Sequence, residues 1–303
     1  MSTVIVVGST NVDVTVEAER LPTAGETVLG SRSFSTLGGK GANQAIAAKR
    51  AGAAVVFLTK VGRDATGERA RTELTQEGLP PDGLLDDAAT STGLAVIVVD
   101  REGRNQIAVA PGANERLMPD DVERVVHRMQ PGGVLLCQLE VPLPTVLAAC
   151  TLAKAQGLRT ILNPAPARAL SDELLARVDL LTPNETEASF LTNESDPLAA
   201  GQRLVERGIP TVIVTLGAQG ALLVRREGHR LFPPMPVTAV DSTGAGDAFN
   251  GALAAMLAEG ASLDRAIAFA NVAGALATTV RGAVPSLPTR AAIDRLYGAH
   301  SSG

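Results

Sequence analysis

The run DSTGAGD at 241–247 leads straight into the apolar segment AFNGALAAMLAEG. A glycine-rich turn at that place sets the backbone N–H groups of Gly244, Ala245 and Gly246 at a helix N-terminus. Free donors and the positive end of the helix dipole suit phosphate oxygens. Asp247, in the first turn, would repel an anion, so beside a phosphate site its carboxylate reads as the acceptor of a proton from an attacking hydroxyl. Taken alone, the run also reads as an ordinary N-capping loop in which Asp247 stabilises the dipole.

Other polar groups sit where a ligand could reach them. In GGKGANQ (38–44) the paired glycines let a backbone come close to a ligand, and Lys40 and Asn43 share one helical face. That set suits a polyhydroxylated molecule, although a glycine turn with a solvated lysine is the plainer reading. Asn11 and Asp13 alternate with valines on one face of an early strand, an acceptor and an amide suited to vicinal hydroxyls. Glu140 directly follows the apolar run GVLLCQL, and ligands of open α/β sheets bind beyond the carboxyl ends of strands. PNETE (183–187) puts Asn184 and Glu187 where they could serve a magnesium–phosphate or simply cap a helix. TLGAQG (215–220) reads as a strand and glycine turn, either a tight hairpin or a nucleotide-binding edge.

Several chemistries are excluded. GxxxxGK[ST] is absent, so the glycines around Lys40 are not a P-loop, and no GxGxxG follows the first strand. His127, His229 and His300 lie beside no plausible nucleophile. Cys137 and Cys150 read as buried thiols with no metal spacing. A net charge of −5 without a Lys/Arg block argues against nucleic acid. The N-terminus lacks signal-peptide features and no apolar run reaches membrane-spanning length, so a soluble, cytoplasmic chain is expected.

The elements that must position these groups are short apolar runs alternating with amphipathic segments. Strands are predicted at Val4–Val7, Val55–Thr59, Val134–Gln138, Thr160–Leu162, Leu180–Leu181 and Val212–Thr215. Helices are predicted over 40–51, 67–77, 119–129, 143–156, 185–191, 197–207, 246–259 and 262–279. That order implies an α/β fold with a mostly parallel sheet covered on both faces, and the length suits one large domain (residues 1–303) as well as two average ones. Residues 11–28 and 93–110 read as β without helices, the second as a hairpin turning at Asp100–Gly103. These pieces suggest a small β-flap whose apolar face needs cover, which dimerisation could supply.

In this order and spacing the pieces resemble the ribokinase family of sugar kinases, the phosphofructokinase-B group, from Val4 to about Tyr297. GGKGANQAIAAKRAG is similar to that family's N-terminal signature and DSTGAGDAFNGAL to its C-terminal one; GSTNVD, LNPAPAR (162–168) and TPNETEA draw the resemblance toward its ribose-phosphorylating branch. The resemblance implies a three-layer α/β/α fold with a β-sheet lid over roughly 11–36 and 93–110, pairing into a homodimer. It implies ATP-dependent phosphorylation of the 5-hydroxyl of D-ribose, with Asp247 as base and Gly244, Ala245 and Gly246 as anion hole. Ribose would be held by Asn11, Val12, Asp13, Gly39, Lys40, Gly41, Ala42, Asn43, Glu140 and Asp247. ATP would lie along Asn184, Thr215, Leu216, Gly217, Ala218, Gln219, Gly220, Gly246, Asp247 and Asn271. Mg²⁺ would be ordered by Glu187 through water, and K⁺ held by Asp241, Thr243, Ala277, Val280, Gly282 and Ser286. Aromatic residues are only 2% of the chain, which favours a small sugar over a nucleoside that needs stacking. Deoxyribose, fructose and adenosine remain alternative acceptors, and a non-catalytic sugar-binding regulator is the alternative outside enzymes.

Overall fold

The computed structural model describes residues 3–301, with side chains through 299, so His300 lies beyond the described side chains. The strands are β1 Thr3–Val7, β2 Asn11–Ala18, β3 Gly30–Gly38, β4 Ala54–Gly62, β5 Leu84–Asp87, β6 Gly93–Val99 and β7 Asn105–Ala110. They continue with β8 Val134–Cys137, β9 Arg159–Leu162, β10 Leu180–Leu181, β11 Thr211–Thr215, β12 Ala221–Arg225 and β13 Gly228–Phe232. Nine of them form one sheet in the order β13-β12-β11-β10-β9-β8-β1-β4-β5. Neighbours from β11 to β5 pair in parallel, and β12 and β13 add an antiparallel edge.

The central strands are apolar over most of their length because both faces are covered. Val4 and Val6 join a core with the helices Lys40–Arg50, Ala65–Gln76, Ala245–Ala258 and Leu263–Ala277. Ile5 and Val7 point the other way, into a core with the helices Pro119–Val126, Leu143–Ala155 and Pro197–Glu206. This is the expected three-layer arrangement. The helices Lys40–Arg50 and Ala245–Ala258 pack closely through small residues: a methyl group on Gly251 would lie 2.5 Å from Ala47 Cβ and 2.7 Å from Ala48 N. That contact brings Asn43 and Gln44 against Asp247. Cys137 and Cys150 are buried free thiols. Among the described residues no helix is long and apolar enough to cross a membrane.

The four other strands form a separate sheet, β3-β2-β6-β7. The β-reading of 11–28 needs correction: β2 ends at Ala18 and its partner is β3, beginning at Gly30. GSRSFSTLG carries no apolar alternation, so it gives no strand signal. The hairpin turning after Val99 is as expected, with Asp100 accepting from the N–H groups of Glu102 and Arg104. Cross-strand partners share a face, which places Asn11, Asp13, Thr15, Phe34, Ile97, Ile107 and Val109 together. Strands β5, β12 and β13 and the helix Arg290–Ser301 were not anticipated from the sequence. In β13 only Phe232 is buried, which leaves no period to read.

Candidate active site

The polar residues converge beyond the carboxyl ends of β1, β8, β9 and β10, the usual ligand crevice of a parallel α/β sheet. Asp247 lies in the first turn of the helix Ala245–Ala258 and is 8% exposed. Its Oδ2 accepts from Asn43 Nδ2 at 2.9 Å and its Oδ1 from Gln44 Nε2 at 2.9 Å. Burial raises its carboxyl above the ordinary range against the pull of Lys40, Gln44 and Asn43, and Glu140 pushes it further up. A basic carboxylate held by donors and open to a cleft can take a proton from a hydroxyl.

Around it stand further carboxylates and one lysine. Lys40 feels Asp247, Glu140 and Glu187; burial alone would lower its pKa, but these three outweigh burial and raise it. Glu140 Oε2 accepts from Ser9 Oγ at 2.6 Å and from the Lys40 backbone N–H at 2.9 Å, tying the end of β8 to the loop after β1 and to the helix start. Gly39, with φ +88°, makes the turn that delivers this helix start; a side chain there would meet Asn11 N at 2.8 Å. Asp13 is pushed up to about 6, first by burial and then by Glu140 and Asp247. Asn11 Oδ1 accepts from Asn114 Nδ2 at 2.7 Å, so the Asn11 amide nitrogen is the group left for a ligand. Asn43 Oδ1 is buried without a protein partner, as expected of an atom that meets a ligand hydroxyl. An open cavity of about 830 Å³ lies alongside, lined by Asn11, Val109, Asn114, Glu140 and a proline-rich wall.

The second half of the crevice is built differently. Gly244, with φ +78°, caps the helix, and among the described residues no side chain makes a capping hydrogen bond there. The Ala245 N–H donates to Ser242 C=O at 3.2 Å, and among the described residues no hydrogen bond occupies the N–H groups of Gly244, Gly246 and Asp247 in that turn. Asn184 and Glu187 form a reciprocal capping box, at 2.8 and 2.9 Å, so the helix cap is realised there. Burial raises the Glu187 carboxyl despite its bond from the Asn184 N–H. Thr215 N donates to Pro183 O at 2.9 Å, joining that cap to the turn at Gly217–Gln219, from which β12 returns as a hairpin. Asn271 Nδ2 donates to Phe232 O at 3.4 Å, and Gly220 packs on the same carbonyl, so Asn271 joins this edge.

Asp241 folds its own loop: it accepts from Thr243 N at 2.9 Å, Thr243 Oγ1 at 2.7 Å and Gly282 N at 2.8 Å. Burial would raise its carboxyl, but these donors outweigh it and hold the group below its ordinary range. Ser286 Oγ reaches Thr243 O at 3.5 Å, so Asp241, Thr243, Gly282 and Ser286 are brought together. Ala277 is buried at a helix end and Val280 is 45% exposed, so each could offer a cation only its backbone carbonyl.

Sequence reasoning missed Ser9, Gln44, Asn114, Gln138, Asn163, Thr182 and Asn250, all buried polar residues of this crevice. A single signal could have flagged some of them: an amide or hydroxyl at the end of an apolar strand run, as in GVLLCQ and TILN.

The fold and the crevice define a class: the chain belongs to the pfkB family of carbohydrate kinases, whose family model matches residues 1–290. It is a phosphotransferase of that family. It is 40% identical over 293 residues to a ribokinase of Haemophilus influenzae, covering 95% of this chain and 96% of that one. It is 41% identical over 300 residues to a bifunctional ribokinase/ribose-5-phosphate isomerase A of Fructilactobacillus sanfranciscensis, covering 97% of this chain but only 56% of that protein. Arabidopsis thaliana ribokinase, solved in complex with ribose and ATP, superposes with a TM-score of 0.89 at 33% identity, over 98% of each chain.

Proposed function

We propose that this chain transfers the γ-phosphoryl group of ATP to the 5-hydroxyl of D-ribose, giving ribose 5-phosphate and ADP. The observation that carries the reading is Asp247: a buried, base-competent carboxylate beside the free N–H groups of Gly244 and Gly246, within one cluster with Lys40, Asp13 and Glu140. The ribokinase relatives and the ribose- and ATP-bound neighbour favour ribose as acceptor.

In this reading the sugar lies between the β2 face and the Lys40–Arg50 helix. Asn11, Asp13, Lys40, Asn43 and Glu140 hold its hydroxyls, with the Gly39–Ala42 backbone and Val12 shaping the floor. Asp247 takes the proton as the oxygen attacks, and Gly244 and Gly246, with Ala245 in the same turn, stabilise the charge on the transferred group. ATP runs from that turn along Asn184, Thr215–Gly220 and Asn271. The four-stranded sheet closes over the sugar as a lid and excludes water, and the apolar residues on its inner face, Phe34, Ile107 and Val109, supply the surface for pairing with a second copy.

Two cations complete the proposal. Among the described residues no group of three or more His, Cys, Asp or Glu could hold a metal. Glu187 therefore fits Mg²⁺ only through water, its carboxylate being half engaged in the cap. The Asp241 loop offers an ionised carboxylate and backbone carbonyls, an oxygen set that suits K⁺. A cation there would add positive charge beside the turn at Gly244.

An ADP-release assay over ribose, deoxyribose, fructose and adenosine tests the reading. Ribose is expected to show the highest kcat/KM. Equal turnover of adenosine would sink the assignment of a small-sugar site. Equal turnover of deoxyribose would show that the 2-hydroxyl is not read, because a site that hydrogen-bonds a hydroxyl rejects the analogue lacking it by as much as ~10⁴-fold.

A further inference from the structure

Three buried amides behind Asp247 form a branched set of hydrogen bonds whose directions are fixed at the Thr182 carbonyl and at Asp247. Asn163, at the end of β9, donates through Nδ2 to the Thr182 backbone carbonyl at 2.9 Å. That carbonyl can only accept, so Asn163 must turn its own Oδ1 toward Gln44. Gln44 thus faces two acceptors, Asn163 Oδ1 at 3.0 Å and Asp247 Oδ1 at 2.9 Å, and must present its amide nitrogen to both. Its Oε1 is then left pointing at Gln138, whose Nε2 donates to it at 2.6 Å. Gln44 and Gln138 are wholly buried and Asn163 is 7% exposed. Flipping any one of the three amides would set acceptor against acceptor or donor against donor. The Thr182 carbonyl and the accepting Asp247 oxygen therefore dictate the orientations of Asn163 and Gln44, and Gln44 in turn dictates that of Gln138, whose own Oε1 is buried without a protein partner.

We infer that Gln44 is a positioning residue of the phosphoryl transfer: locked by Asn163 and Gln138, it holds Asp247 Oδ1 by a single donor so that the carboxylate stays ionised and keeps one orientation toward the cleft. A carboxylate with both oxygens unpinned could rotate, and in a buried site it would hold its proton. Asn43 pins Oδ2, but its own Oδ1 is unpartnered, so its amide has no second anchor of the kind Gln44 has. Asn250 secures the other side of the same turn. It accepts from Thr182 Oγ1 at 2.6 Å and donates to Gly246 O at 2.9 Å, so Thr182 serves both the amide chain and the helix that carries Asp247. The charged groups facing Asp247 are Lys40, Glu140, Asp13 and Glu187; none of them touches Gln44 by any hydrogen bond in the structure. Removing Gln44's donor therefore changes the carboxylate without changing its charged neighbours.

The inference rests on Asp247 being the base, and its test separates the two. Gln44→Met keeps the chain length and removes the donor. Its kcat is expected to fall about tenfold at neutral pH with the sugar KM within about twofold, and the acid limb of kcat to move up by about one pH unit. Gln138→Met leaves Asp247's donors in place and frees only the far end of Gln44; it should move the limb the same way by less. Unchanged kcat and an unmoved limb in Gln44→Met would overturn the inference, as would a raised sugar KM at constant kcat. If Gln44→Met fails to fold, an unmoved limb in Gln138→Met overturns it instead. Should Asp247→Asn keep its turnover, the reading of the base fails first. A dead Asp247→Asn beside a normal Gln44→Met sinks only the role of Gln44.

Discussion

The two halves of the crevice use different parts of the chain. On the acceptor side, buried side chains from distant segments meet: Asn43 and Gln44, Gln138 and Glu140, Asn163, and Asp247 with Asn250. On the other side the Thr215–Gly220 turn and the Asp241 loop are shaped mostly by backbone groups, with the Asp241 side chain accepting from Thr243 in its own loop and from the Gly282 N–H. A buried polar side chain is costly unless it is satisfied, so each one on the acceptor side constrains the rest. A backbone-built edge tolerates changes of residue type, because its donors and carbonyls survive substitution. Single substitutions should therefore act strongly on one side and weakly on the other.

The largest contrast is expected at Asp247 itself. Asp247→Asn keeps the side chain's size but cannot take a proton, and it sets an amide N–H against the Asn43 or Gln44 donor; kcat should drop by roughly 10² to 10⁴ with the sugar still bound. Gln219→Ala, at the exposed turn proposed to hold ATP, should alter the KM for ATP only slightly. Steady-state kinetics on the two variants measures the ratio directly, and similar losses would erase the distinction. The wild-type acid limb should also lie above the ordinary carboxylate range, because burial raises the Asp247 carboxyl. Activity is then lost as pH falls through that raised pKa.

Two glycines sharpen the contrast through sterics. A methyl group on Gly41 would lie 2.5 Å from the Gly8 carbonyl carbon and 2.7 Å from Gly8 Cα, backbone against backbone, whereas Gly246 has nothing within 4 Å. Gly41→Ala should destabilise the fold by about 2–3 kcal/mol. Gly246→Ala should leave the melting temperature unchanged or slightly higher, since Ala is the better helix former by up to ~1 kcal/mol. It should nevertheless lower kcat, because the open space over Gly246 is where the transferred group would sit. A Gly246→Ala variant with full kcat would remove that part of the anion hole.

Asp13 shows what the acceptor side costs the empty protein. Its carboxyl is raised from 3.8 to about 6, so the folded chain holds that proton more tightly than the unfolded chain does. Stability is lost as pH climbs from the unfolded value through the folded one, and the deficit is constant above it. Asp13→Asn removes that penalty and should stabilise the sugar-free protein by about 1–2 kcal/mol at pH 8, with little change at pH 4. Melting curves at the two pH values check the sign, and sugar affinity should fall in the same variant.

Legibility follows the same division. Asp247, Asn43 and Asn11 stood out because each sits beside a glycine turn, and Glu140 because it directly follows an apolar run. Gln44, Asn163 and Asn250 did not, because their partners lie far away in sequence and a lone amide in a helix or at a strand end looks like any other. Apart from β5, the parallel strands of the large sheet were readable from buried apolar runs. Strand β3, serine-rich, and β13, buried only at Phe232, carry no such pattern and are strands because their neighbours pair with them. Asn184 and Glu187 were seen as a pair, but only the coordinates show that each caps the other.

The smallest effect is expected where loop and cation meet. Asp241 orders its loop with three donors, and Asp241→Asn turns one acceptor oxygen into an amide that faces N–H groups. The loss should be about 1 kcal/mol of stability, because the loop is partly solvated and water can replace the missing bond. If the loop holds K⁺, replacing potassium by choline should lower wild-type kcat, and Asp241→Asn should respond less to the same exchange because its site is already weakened. An equal response would separate Asp241 from the cation. A wild type indifferent to the exchange would leave the loop as a purely structural brace for the turn at Gly244, and the backbone-built half of the crevice would then work through its amide donors alone.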